Sequence, residues 1–99
     1  MAKLTQSELD QALTGLSGWS VRNAMLTKTY KHASFPEAIL FVNAVAHAAE
    51  AMNHHPDVDI RYSDITLALT THDQGGITAK DADLARRVDA LRRKADASA

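Results

Sequence analysis

Two short runs with period-two alternation, Val58-Asp-Ile-Arg-Tyr62 and Ile65-Thr-Leu-Ala-Leu-Thr70, constrain this chain more than any other feature. Alternation of apolar and polar residues suits a strand with one buried face. The dipeptide Ser63-Asp64 between the runs leaves room only for a tight turn, so they are expected to pair as an antiparallel hairpin. A second β-rich segment, residues 19–31 (WSVRNAMLTKTYK), contains Asn23-Ala24 where a chain can reverse, and predicts another hairpin.

Helices are announced by capping boxes. Thr5-Gln-Ser-Glu8 opens a short helix to about Leu13, stopped by Gly15. Ser34-Phe-Pro-Glu37 opens a second that should run to about Met52, with proline where a first turn tolerates it. Its expected apolar face is Phe35, Ala38, Ile39, Val42, Val45, Ala46, Ala49 and Met52, at steps of three and four. Thr78-Ala-Lys-Asp81 caps a third after the loop 73–76, with Leu84, Val88, Leu91 and Ala95 as its face, and residues 96–99 are expected to fray.

The order is therefore α-β-β-α-β-β-α. It implies an α+β fold, a four-stranded antiparallel sheet with helices packed on one face, as a single domain over residues 1–99. An open sheet face or edge would remain for self-association. A formal charge of −1 gives no reason to expect nucleic acid or an anionic membrane as a partner. The absence of cysteine excludes thiolate catalysis and cysteine-held metals and suits a reducing compartment. No signal-like or membrane-spanning stretch is present, so the cytosol is the expected location.

Chemistry concentrates in histidine. His54-His55 is closed off by Pro56, which favours an extended residue before it and so places the pair at the second helix's C-terminus. His47, Glu50 and His54 fall on one flank of that helix. His72 ends the last strand, sharing by alternation a face with Thr66, Ala68 and Thr70, and can meet His54 across a pocket. Imidazoles suit proton transfer in both directions near neutral pH. A metal site using His47, His54, His72 and Glu50 lacks the usual i, i+4 helical pair, and no metal is expected. Asp81 reads as a helix cap, Trp19 and Tyr62 as packing residues with a polar edge, and Gly75-Gly76 as a loop.

Taken together, Glu50-x-x-x-His54-His55-Pro56, Tyr62, Thr71-His72 and Asp81 resemble the signature of the pterin-4a-carbinolamine dehydratases, and the order of elements is similar over nearly the whole chain. The resemblance implies a homodimer or homotetramer that dehydrates 4a-hydroxytetrahydrobiopterin to quinonoid dihydrobiopterin. That reaction recycles the pterin of the aromatic amino acid hydroxylases, with the pterin as substrate and no metal or organic cofactor. It implies His54, His55 and His72 as catalytic imidazoles, and Glu50, Asn53, Thr70 and Thr71 as substrate-binding residues. Tyr62 and Asp81 match signature positions with a supporting role. His54 and His72 would move the protons while His55 orients the substrate. Some animal members also stabilise the dimer of a homeodomain transcription factor, so an interaction module is the competing expectation. Two departures stand out: animal members carry aspartate at the position of Asn53 and tryptophan near that of Val58.

Overall fold

The computed structural model describes residues 2–98. Its elements are α1 (Gln6–Leu13), β1 (Ser20–Arg22), β2 (Met25–Lys31), α2 (Phe35–Met52), β3 (Asp57–Arg61), β4 (Asp64–Leu69), a 3-10 turn (His72–Gln74) and α3 (Ala79–Ser98). The expected α+β order is present. The Thr5 capping box is closed in both directions: Glu8 N–H donates to Thr5 Oγ1 at 3.1 Å, and Thr5 N–H donates to Glu8 Oε1 at 2.8 Å. Ser34 accepts from Glu37 N–H, with Pro36 in the first turn of α2.

The sheet runs β1-β2-β4-β3, each neighbouring pair antiparallel. Leu26 lies opposite Leu69, Lys28 opposite Leu67 and Tyr30 opposite Ile65, so these side chains share one face. On that face Leu26, Tyr30, Ile65, Leu67 and Leu69 are buried against Ala38, Phe41, Val45 and Ala49 of α2 and Leu84, Ala85 and Val88 of α3. Each large aliphatic side chain so removed from water contributes about 1.5–3 kcal/mol. Thr27, Thr29, Thr66 and Ala68 line the opposite, uncovered face.

Four details depart from expectation. The buried row of α2 is Ala38, Phe41, Val45 and Ala49, while Phe35 and Ala46 are exposed. The helix is apolar on nearly every side, so its spacing alone could not orient it. The second hairpin turns at Tyr62-Ser63, since Arg61 pairs with Asp64. Tyr62 takes a left-handed φ of 53° and is 72% exposed, so it is no packing residue in this fold. Helix α3 continues through Ser98, into the stretch expected to fray, and Ala95 on its expected face is exposed. Ala99 lies outside the described residues.

Trp19 does pack, and its polar edge is used. Its Nε1–H donates to both oxygens of Asp89, a carboxylate of α3 that also accepts from Lys28 Nζ at 2.9 Å and from the Tyr30 hydroxyl. Burial first, then the hydrogen bond and charge of Asp89, pushes the Tyr30 phenol well above its usual range. The folded state therefore holds this proton more tightly than the unfolded chain does. The stability it confers is complete below about pH 10, the ordinary tyrosine value, and is lost as pH rises beyond it. Melting temperatures recorded from about pH 9 to 11 should fall more steeply for the wild type than for Tyr30→Phe. Equal slopes would show that Tyr30 does not govern the alkaline limb.

Candidate active site

The site begins with how α2 ends. Asn53 is left-handed (φ 50°, ψ 44°), its N–H donates to Glu50 O, and His54 N–H donates to Ala49 O at 3.0 Å. This Schellman closure satisfies the last carbonyls of the helix, and asparagine is among the few residues with a side chain that take the left-handed turn readily. The turn separates the neighbouring imidazoles. His54 is buried, whereas His55 lies at the surface with Nε2 2.9 Å from Glu50 Oε1.

His54 meets the start of α3. Its Nε2 is 2.5 Å from Oδ1 of Asp81, which is fully buried. The other oxygen, Oδ2, accepts from Thr78 N–H at 2.8 Å and from the Thr71 hydroxyl at 2.9 Å. Because Thr71 donates to Asp81, its oxygen is free to accept from Thr78 Oγ1, 2.8 Å away. Asp81 thus holds the helix start, as its capping position predicts, and also ties α2's end to the segment after β4. The second role left no local trace in the sequence: His54 and Asp81 are 27 positions apart, and the capping box alone explains an acid there. Thr78 was likewise legible only as a cap.

The arrangement selects a tautomer. A carboxylate only accepts, so Nε2 carries the proton and Nδ1 the lone pair when the ring is neutral. No enclosed side-chain nitrogen or oxygen among the described residues lacks a hydrogen bond, yet Nδ1 has none. Nδ1 is therefore the face of the ring open to solvent or ligand. A base oriented by a buried carboxylate, which also stabilises the imidazolium that forms, is the logic of the triad hydrolases.

His72 departs from the alternation that placed it. Strand β4 stops at Leu69, a bridge between Thr71 and Gly76 closes a loop, and His72 begins the 3-10 turn inside it. It is exposed and follows directly on Thr71, so the Asp81 hub anchors the chain on which it rides. Thr71 is buried with its hydroxyl engaged, whereas Thr70 reaches Ala24 O only at 3.5 Å. His47 is exposed on α2, and among the described residues no group of three or more His, Asp or Glu is placed to hold a metal ion. A cavity of about 560 Å³ lies elsewhere, between Leu40, Phe41 and Ala44 of α2 and Leu91 and Ala95 of α3. The helical rise puts Phe41 roughly 20 Å from His54, so this cavity is not the histidine site.

Comparisons with known proteins place nearly the whole chain in a family. The profile of the family described as Pterin 4 alpha carbinolamine dehydratase matches residues 2–91. A Herpetosiphon aurantiacus protein provisionally named pterin-4-alpha-carbinolamine dehydratase is 52% identical over 91 residues, covering 92% of this chain and 95% of that one. The crystal structure of a transcriptional coactivator/pterin dehydratase from Brucella melitensis superposes with a TM-score of 0.86 at 33% identity, over 90% of this chain and 97% of that one. A pterin dehydratase-like protein identified as a RuBisCO assembly factor of the α-carboxysome shares the fold at a TM-score of 0.60 and 24% identity, over 74% of this chain and 84% of that one.

Proposed function

The chain belongs to the pterin-4-alpha-carbinolamine dehydratase family, and on that premise we propose that it dehydrates 4a-hydroxytetrahydrobiopterin, or a closely related reduced pterin, to the quinonoid dihydropterin. The observation that carries this reading is the His54–Asp81 pair with Nδ1 of His54 left open. Loss of water from the carbinolamine breaks the bond between C4a and its hydroxyl oxygen, forms a C4a–N5 double bond and releases the N5 proton. The reaction needs one proton acceptor at N5 and one donor at the leaving hydroxyl, and each positioned group can supply about 10²–10⁴-fold.

His54 Nδ1 takes the N5 proton in this scheme, with Asp81 stabilising the resulting imidazolium. His72, whose ring has no hydrogen-bond partner among the described residues, delivers a proton to the leaving oxygen, and the two rings exchange roles for the opposite face of C4a. His55, steadied by Glu50, and the polar groups of Asn53, Thr70 and Thr71 orient the pterin. The pterin is the substrate, and the proton transfers need no metal or organic cofactor. In a cell the product would return to the cycle of a pterin-dependent hydroxylase.

The test is decay of the carbinolamine followed in the ultraviolet. Wild-type protein should accelerate it well above the buffer rate, and His72→Ala should retain its fold while losing about 10²–10⁴-fold. A wild-type rate equal to the buffer rate would overturn the proposal. It would favour instead an interaction role, as in the name of the Brucella coactivator/pterin dehydratase.

A further inference from the structure

The hairpin joining β1 to β2 ends beside the histidine loop. Asn23 and Ala24 form its two-residue tip, with φ of 53° and 61°. Asparagine suits such a turn, but glycine is the ordinary occupant of the second place, and alanine is not. A left-handed alanine persists where the surrounding structure holds it, often beside a functional site. What holds this one is Thr70, whose hydroxyl donates to Ala24 O at 3.5 Å. Thr70 immediately precedes Thr71 and His72, so the tip borders the chain that carries the proposed proton donor.

Register fixes which side chains meet there. Arg22 of β1 lies opposite Met25 of β2, and Leu26 of β2 lies opposite Leu69 of β4. One step further along the β2–β4 pair brings Met25 opposite Thr70. Neighbours along a strand alternate, so Arg22, Met25 and Thr70 fall on the uncovered face, away from Leu26 and Leu69. They form a row across the end of the sheet, from a cation through a half-buried thioether to a hydroxyl. Arg22 and Thr70 stand two strand spacings apart, roughly 10 Å, which leaves room between them for a small substituent.

Arg22 is the member of this row without a task in the fold. It is exposed, and no hydrogen bond, ion pair or ring contact engages it among the described residues. Its neighbours on that face, Ser20, Met25 and Thr27, carry no negative charge. Arg61, Arg86 and Arg92, by contrast, each bond a nearby carboxylate. A planar guanidinium left without an internal partner matches the paired oxygens of a carboxylate or phosphate. The pterin ring supplies the route to it. C6, which bears the side chain of a natural pterin, is bonded to N5, the atom that gives its proton to His54 in the proposed reaction. The substituent therefore starts inside the site.

We infer that the β1–β2 hairpin tip reads the C6 substituent: Met25 lies beneath it and Arg22 binds its anionic end. The preferred substrates are then reduced pterins whose C6 side chain ends in an anionic group. The inference rests on the dehydratase reading and narrows its substrate class.

A matched pair of product-like ligands tests it, 7,8-dihydroneopterin and its side-chain monophosphate, which differ only in the terminal phosphate. Titrated calorimetrically against the wild type at low salt, the monophosphate should bind about tenfold more tightly. The gap should narrow as salt is raised. In Arg22→Gln, checked for its fold by circular dichroism, the two affinities should become nearly equal. Arg22→Glu should reverse their order, a result that loss of folded protein cannot produce. Equal affinities in the wild type overturn the inference, as does a gap that survives in Arg22→Glu. A wild type that turns over the carbinolamine but binds both ligands alike loses only the assignment of Arg22. A wild type that binds neither ligand and turns over no carbinolamine loses the dehydratase reading as well.

Discussion

Asp81→Asn should stay folded and lose about 10²–10⁴-fold in kcat, with KM little changed. The direction follows from donors that cannot reverse. Thr78 N–H can only donate, so the amide oxygen of the new side chain must take the position of Oδ2, where that N–H and the Thr71 hydroxyl now point. The amide NH2 then faces His54 Nε2, which must offer a lone pair, and the imidazole proton moves to Nδ1. The open face of the ring would present a proton where the proposed chemistry needs an acceptor. Contacts are nearly conserved, so the melting temperature should fall by only a few degrees while turnover collapses. His54→Ala should lose a similar factor, and the double variant little more than either single one, because the two groups act as a unit. Full activity in Asp81→Asn would refute the assignment of Nδ1 as the base.

The other carboxylate of α3 should behave in the opposite way. Asp89→Ala leaves Trp19 Nε1–H and the Tyr30 hydroxyl without an acceptor and Lys28 without its counter-charge, all beside the core. Removing one member of such a buried cluster costs about 3–5 kcal/mol, against a total of about 5–15 kcal/mol for an ordinary domain. The melting temperature should drop by roughly 15–30 °C. Asp89 lies eight residues beyond Asp81 on the same helix, about 12 Å along its axis, so the folded fraction should turn over normally. A shift below about 5 °C would mean that the cluster contributes little beyond its geometry.

These two aspartates also show what could be read in the sequence. Element order, the two hairpins and helix starts were legible because each is announced locally, by alternation or by a capping box within four residues, whereas the β2–β4 pairing that joins the hairpins was not. The roles of Asp81 and Asp89 were not, since each depends on partners brought together only by the sheet: His54 and Thr71 for one, Trp19, Lys28 and Tyr30 for the other. The candidate histidines were recognisable by type and spacing, but their environments were not. His54 is buried and oriented, His55 faces outward, and His72 left its strand because the Thr71–Gly76 bridge turned the chain first. The turn at Tyr62-Ser63 escaped notice for a related reason. Tyrosine is a poor left-handed turn former, so no propensity argument places it there.

The sole tryptophan gives the molecule a built-in optical reporter. Trp19 is 6% exposed, lies edge-on to Tyr30 with ring centroids 6.2 Å apart, and is bonded to Asp89 rather than to any group of the histidine site. Its emission should be blue-shifted in the native protein and move to the red when α3 leaves the sheet. The histidines can thus be altered one at a time while the intrinsic fluorescence of the same sample reports, without a label, whether the scaffold is still closed.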